Sequence, residues 1–557
     1  MNRRNAWIWV VAVMWAATIV APAGAQLGDT FWPKFQGDAQ NTGLVSGAPS
    51  IGSPRLRWSL DLAGDAGWEN QSTVTFAEDG TLYVGTHEGK LYAINPDGTE
   101  KWNVTLAPPA ALSPGQVLAT PTVGADGTIY VGVWGDLGAI PPRDGGFYAV
   151  TDNGASGTIK WAYPDPTQTL SSAAIAPTGE IIFGANLPLV GWSIVALKEV
   201  PAAPGYVVAW TIDADPASIE AGVSGSPALS ADGRYAYVGS SENHLFRAID
   251  VAAGTEVTFD CLFGNYFWAS TPAVAVPPPE AIATPETIYI CSGMDWTTPD
   301  PTKEGKVWAF NYDPSTDAIT EKWSLAMNNG HLNGGVGPIR TITVGEDEVV
   351  RLYAMQTANG GTCRITALDD TAGGPVTVWS QDLGPSAWGY SNAVVLEDGT
   401  IYVVGTANGT LYALRDQGAT VSVAWTVALT DLNPAAPVGM TNAKGLTVGP
   451  TGIVYWNAVD GNLYAIGQRG DVDGNGVVNG LDLTAVITAW MTVPGDPLWN
   501  PLADLDGSTV VDGLDLTEVI SNWTPPTAAA PAESESAAKP GKRLGNIRKG
   551  SGDVRSK

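Results

Sequence analysis

Ten oxygen-bearing side chains recur on one fixed spacing near the C-terminus of this 557-residue chain. In DVDGNGVVNGLD (471–482), Asp471, Asp473, Asn475, Asn479 and Asp482 stand at positions 1, 3, 5, 9 and 12. In DLDGSTVVDGLD (504–515), Asp504, Asp506, Ser508, Asp512 and Asp515 repeat the pattern. Position 7 is Val477 in one copy and Val510 in the other, where only a backbone carbonyl can serve. Hard oxygens at these intervals let a twelve-residue loop wrap a calcium ion, which takes about six to eight of them. The expectation is two Ca2+ sites with these twelve residues as ligands. Position 6, where the loop turns sharply, is Gly476 in the first copy and Thr509 in the second, and position 12 is Asp in both.

A single acidic, glycine-containing loop is usually a solvated turn. Here two copies lie 33 residues apart (504 minus 471), and each leads into a similar apolar run, LTAVITAW and LTEVISNW. A helical period puts Leu483, Val486, Ile487 and Trp490 on one face, and Leu516, Val519, Ile520 and Trp523 repeat it. The duplicated loop–helix resembles the type I dockerin module over residues 471–523. The resemblance implies a small α-helical domain of paired EF-hand-like loops that plugs, with calcium, into a cohesin-like partner, in assemblies that degrade plant polysaccharide. Cellulosomal dockerins commonly carry hydroxyl residues at loop positions 10 and 11 for that contact. Here the candidate partner-binding residues are Gly480–Leu481 and Gly513–Leu514, so the metal chemistry transfers more directly than the partner. Without ions, three carboxylates in the first loop and four in the second repel one another. Chelation should therefore melt the module and leave the rest of the chain almost unchanged.

The rest of the chain repeats at intervals of several tens of residues. The clearest copy, 72–106, holds the strand-like runs STVTFA, TLYVGT, KLYAIN and EKWNVTL. Asp79-Gly80, Glu88-Gly89 and Asp97-Gly98 fill the turns between them. Another copy spans 391–429, others begin near Thr120, Ser171, Gly225, Ser270 and Val336, and the last spans 441–467. A Trp marks the fourth strand in most copies (Trp102, Trp161, Trp210, Trp323, Trp379, Trp425), with Phe259 in the fourth copy. The last copy ends at Gln468 without a fourth strand, while an orphan strand, LRWSLDL with Trp58, precedes the first. Joining the two closes an all-β, eight-bladed propeller of four-stranded blades, sealed by its N-terminal strand, which removes long exposed sheet edges.

The repeated DG-T-[IL]-Y-V-G and L-Y-A-[IL] strings, the Trp series and the lead-in WPKFQGDAQNTG (32–43) resemble the PQQ-like repeat propellers. That family includes quinoprotein alcohol dehydrogenases and the outer-membrane assembly propeller BamB. The resemblance covers about residues 30–468 and speaks to architecture, since function is grafted onto folds. The Trp rings are expected to pack between blades.

Residues 1–25 read as an export signal: Arg3 and Arg4, an apolar stretch from Ala6 to Val20, and Ala23-Gly24-Ala25 before Gln26. A lead-in (26–53), the propeller (54–470), the dockerin-like module (471–523) and a disordered tail (524–557) follow. The tail is rich in Ala, Pro, Ser and Glu and ends in a locally basic stretch, and nothing after the signal is apolar and long enough to span a membrane. The expected product is exported, periplasmic or extracellular, and monomeric. Without the signal the chain carries 26 basic and 56 acidic side chains, a net of about −30 (28 minus 2, less 56). That balance opposes nucleic-acid binding and suits calcium capture. Cys261, Cys291 and Cys363 are too few to staple so large a chain and read as buried apolar residues, although Cys261 and Cys291 could pair.

Enzymatic readings find little support. Quinoprotein dehydrogenases hold pyrroloquinoline quinone over calcium, many beside a vicinal Cys–Cys disulfide; this chain has no adjacent Cys pair, so PQQ is not expected. His87 and His244 fall in strand-connecting turns, His331 stands apart, and no GxSxG, HExxH or P-loop motif is present. No catalytic residue is assigned. The sequence points to a non-enzymatic binding or scaffold protein, with a rigid propeller face and a calcium-dependent module for attachment. The alternative is a carbohydrate-binding or polysaccharide-processing component, with Trp268, Trp296 or Trp388 stacking on sugar rings.

Overall fold

The computed structural model describes residues 25–62, 72–107, 113–136, 143–215, 223–240, 244–261, 270–275, 285–293, 305–327, 336–345, 347–357, 361–386, 392–436 and 445–524. Residues 1–24 of the export signal, His331, Trp268, Trp296, Trp388 and the tail beyond residue 524 lie outside them.

Eight antiparallel sheets follow one another along the chain as the blades of a propeller. The first is Thr75–Phe76, Leu82–Gly85, Lys90–Ile94 and Glu100–Thr105. Its Asp-Gly-Thr turns form because Asp79 Oδ1 accepts the Thr81 amide at 2.9 Å while Gly80 takes φ +83°. Asp97, Gly98 and Thr99 repeat that geometry in the next turn. Blades two to seven span 122–163, 174–215, 228–260, 273–326, 336–385 and 394–428. The eighth pairs Gly445–Val448, Val454–Asn457 and Asn462–Gln468 with Pro54–Asp61, so the N-terminal strand seals the ring as expected.

Register explains the recurring Y-A and Trp signals. Trp58, Trp102, Trp161, Trp210, Trp323, Trp379 and Trp425 each pair with an alanine on the neighbouring strand: Ala465, Ala93, Ala149, Ala196, Ala309, Ala367 and Ala413. In each of the seven the outer strand bulges at the Trp, leaving the residue just before it unpaired. A bulge re-aims side chains. Each indole N–H then crosses to the following blade or its lead-in. Trp102 donates to Asp152 (2.9 Å), Trp161 to Glu199 (2.8 Å), Trp323 to Asp370 (2.8 Å) and Trp379 to Asp416 (3.0 Å). Trp210, Trp425 and Trp58 donate to the carbonyls of Val251, Ile51 and Pro96. The Trp series is thus the interblade fastening, with a polar tip satisfied across each seam.

Where the bulged residue is a lysine, it joins the same carboxylate. Lys101 reaches Asp152 at 3.1 Å, Lys160 reaches Glu199 at 2.9 Å and Lys322 reaches Asp370 at 2.6 Å. Between blades six and seven, the buried Asp416 collects Arg340, Arg351, Tyr353 and Trp379. Burial alone would raise that carboxyl, but the Tyr353, Arg351 and Trp379 donors outweigh it and hold it below the usual range.

The lead-in does more than precede the ring. Its carbonyls accept one inner-strand amide after another: Phe76 to Trp32, Val123 to Pro33, Leu229 to Ala39, Val274 to Gln40, Ile339 to Thr42 and Val395 to Gly43. Leu44–Val45 then pairs in parallel with the inner strand of blade seven. Buried Asn41 donates to the carbonyls of Ser226, Pro227 and Pro272 at 3.2, 3.2 and 3.0 Å, and its Oδ1 accepts from buried Lys34. The segment therefore fastens the inner edges of six blades before the chain enters its closing strand. The three cysteines are buried free thiols, with no pairing between Cys261 and Cys291.

Candidate metal centre

Each acidic loop ends on a short helix, Gly480–Thr488 or Gly513–Ser521. Asn479 and Asp512 start them as N-caps, accepting the Leu481 and Leu514 amides at 2.7 and 2.8 Å. Position 9 thus has a helix-capping role that the liganding pattern does not announce.

The position-12 carboxylates organise the loops. Asp482 accepts the amides of Val472 (2.7 Å), Asp473 (3.1 Å) and Asn479 (2.8 Å). Asp515 does the same with Leu505 (2.5 Å), Asp506 (3.1 Å) and Asp512 (2.7 Å). Both are fully buried. At position 1, Asp471 Oδ2 accepts the Gly476 amide at 3.0 Å and Asp504 Oδ2 the Thr509 amide at 3.0 Å. These bonds bring Asp471, Asp473 and Asp482 together, and likewise Asp504, Asp506 and Asp515, with a ligand atom from each member within 4.8 Å of the others.

The remaining positions sit on the loop rims. Asn475 Oδ1 accepts the Val477 amide and its Nδ2 donates to Asp473. Ser508 Oγ donates to the Val510 carbonyl at 3.1 Å. Burial, aided by the Asp482 charge, pushes the Asp471 carboxyl up to about 6, against the pull of Arg57 and the Gly476 amide. Exposed Asp506 is held low by hydrogen bonds from Ser508.

A cation fits this donor set. Asp504 Oδ1 is buried with no hydrogen-bond partner, in a loop where three carboxylates converge. Such an oxygen is costly unless a proton or a positive ion satisfies it. The position-6 difference also has a cause. Gly476 has φ +86°, and a Cβ there would lie 2.6 Å from the Thr451 carbonyl of blade eight, so the first loop needs glycine twice over. Thr509 takes φ +70° in an exposed loop, where the cost is backbone strain alone.

The helix faces differ from the periodic expectation. Val486 and Val519 are buried and Leu483 and Leu516 pack beside them. Ile487 and Ile520 are exposed within their helices, and Trp490 and Trp523 are exposed just past the helix ends. Leu481 and Leu514 are 62% and 61% exposed, Ile487 and Ile520 56% and 58%, so the two copies present matching apolar sets. Gly480 and Gly513 have open space beside them.

Among the described residues no helix is long and apolar enough to cross a membrane. His87 Nε2 bonds the Gln116 amide at 2.7 Å in its turn, an ordinary structural role.

The dockerin type I domain profile matches residues 469–523, and the profile described as outer membrane protein assembly factor BamB matches 43–198. No curated protein matches the chain. Among solved structures, Sqt1 from Chaetomium thermophilum is similar at 14% identity and TM-score 0.48, over 74% of this chain and 98% of that one. The periplasmic gluconolactonase PpgL of Pseudomonas aeruginosa is 14% identical at TM-score 0.40, over 65% of this chain and 97% of its own. A 6-phosphogluconolactonase-like structure from Bacteroides fragilis gives 14% and 0.36, over 66% and 94%. These likenesses carry nothing about activity.

Proposed function

We propose that this is an exported binding protein that attaches, in a calcium-dependent way, to a cohesin-like partner, with the propeller as the rigid body it carries. The observation that carries this reading is the pair of loops whose carboxylates converge within 4.8 Å, each beside an exposed apolar helix face of the same composition. Asp471, Asp473, Asn475, Val477, Asn479 and Asp482 hold one ion, and Asp504, Asp506, Ser508, Val510, Asp512 and Asp515 the other. Calcium supplies the charge that lets clustered carboxylates fold at close range. Gly480, Leu481, Gly513 and Leu514 lie on the partner-facing surface. Their apolar character suits a drier contact than hydroxyl pairs would make.

The propeller contributes reach and rigidity rather than chemistry, and the work of the assembly is the handling of extracellular polysaccharide. The test is surface-based binding of the full chain to a panel of cohesin modules, in millimolar calcium and in chelator. Binding that needs calcium and is lost in the Leu481→Asp/Leu514→Asp double variant is expected. A wild-type chain that loads calcium and binds no member of the panel would refute the attachment role.

A further inference from the structure

The calcium module is not a free appendage, because the strand that seals the ring grips both of its loops. Arg55 and Arg57 lie on Pro54–Asp61, the strand whose pairing with Asn462–Gln468 closes blade eight. Arg57 Nη1 donates to the Asp471 carbonyl and stands 3.7 Å from Asp471 Oδ2, and its Nη2 donates to the Val472 carbonyl at 3.3 Å. Arg55 Nη1 donates to the Leu502 carbonyl at 2.7 Å, and its Nη2 to the carbonyls of Asp504 (2.5 Å) and Pro501 (3.3 Å). Each arginine therefore holds position 1 of one loop, Asp471 or Asp504. Arg469 adds a third cation, 3.4 Å from the Leu505 carbonyl and 3.7 Å from Glu518.

The comparison with other blades makes the arrangement specific. Arg57 occupies the bulge before Trp58, the position that holds Lys101, Lys160 and Lys322 in blades one, two and five. Those lysines grip a carboxylate of the following blade. In blade eight the equivalent cation turns to the calcium loop instead.

We infer that Arg55 and Arg57 couple calcium loading of the module to closure of the propeller, making the module a metal-dependent clasp on the ring's seam. This rests on the calcium reading above. Loops shaped by ions present the carbonyls of 471–472 and 501–504 in fixed positions to the two guanidinium groups. Loops without ions lose that shape, and the closing strand loses its outer anchor. The expectation that chelation spares the propeller then fails at one place, the seam.

The experiment is hydrogen exchange on the full chain in millimolar calcium and in chelator, with ion stoichiometry measured on the same samples. Peptides covering 54–61 and 462–468 report the seam, and those covering 90–94 and 100–105 serve as a control blade. Chelation should speed seam exchange about tenfold or more, the effect of losing charge-assisted bonds, while the control blade stays unchanged. In the Arg55→Gln/Arg57→Gln variant, seam exchange should be fast and indifferent to calcium, although two ions still bind. Unchanged seam exchange in a wild-type chain that demonstrably loses two ions overturns the inference without touching the calcium reading, and needs no variant. A seam in the variant that still responds to calcium overturns it too. A wild-type chain that binds no ion removes the calcium reading and this inference together.

Discussion

Asp515 and Asp506 belong to one acidic cluster, yet the structure gives them different jobs, and replacing each by alanine separates them. Asp515 is buried and accepts three backbone amides, those of Leu505, Asp506 and Asp512. The Leu505 bond is buried and the other two partly so; a buried donor left without an acceptor costs about 1–3 kcal/mol, so Asp515→Ala removes about 3 kcal/mol. A module of some fifty residues has about 3–8 kcal/mol in total. The variant should therefore unfold the module, and no calcium concentration within reason should rescue the second loop. Asp506 is exposed and accepts the Ser508 amide at 2.9 Å, so Asp506→Ala removes a ligand and leaves the frame. Its helices should stay folded in saturating calcium, with weaker binding at one site. The assay is hydrogen exchange of helices 480–488 and 513–521 in the full chain, with calorimetric titration of calcium. If Asp515→Ala keeps full protection of 513–521 and merely lowers the ion count to one, the reasoning from buried amides is wrong.

Thr509→Gly should stabilise the module by about 1 kcal/mol, because the left-handed conformation at φ +70° costs an L-residue about that much; calorimetry should show tighter, not weaker, binding at the second loop. Asn41→Ala strips the bonds to Ser226, Pro227 and Pro272 and should lower the melting temperature of the ring by several degrees, at about 1 kcal/mol for each bond; an unchanged scanning-calorimetry trace would count against the lead-in as a fastening. The folded-state carboxyls of Asp416 and Asp152 are held below their ordinary value of 3.8, burial opposing and hydrogen bonds prevailing. Their contribution is fully present above that value and is lost as pH falls through the lower folded value, so urea stability of the ring should drop below about pH 4. Asp416→Asn should flatten that drop.

Much of the ring is legible because its determinants are local and repeat. Asp-Gly-Thr turns set the hairpins, and the alanine of L-Y-A-[IL] makes room for the Trp opposite it. Closure follows from counting, since Gln468 lacks an outer strand and Trp58 supplies one. The acidic loops are legible because the spacing of their carboxylates is itself a sequence property, and Asp471, Asp473 and Asp482 do converge. The lead-in is not legible in the same way. Its carbonyls each take one amide from a different blade, so no periodicity records them. Exposure of Trp490 is not legible because the apolar run reads as one helix, whereas the helix stops at Thr488; Ile487 is exposed within it, a side the periodicity does not separate from Val486. The arginine grip is not legible because Arg55 and Arg57 look like the polar alternation of any outer strand; the basic residue directly before Trp58, Trp102, Trp161 and Trp323 is the one sequence signal of the position it occupies.

The most direct test of the account is a calorimetric calcium titration of the full chain, read beside its melting curve with and without chelator. Two ions bound per chain and a calcium-dependent transition of the module are predicted. No heat of binding and superimposable melting curves would contradict it.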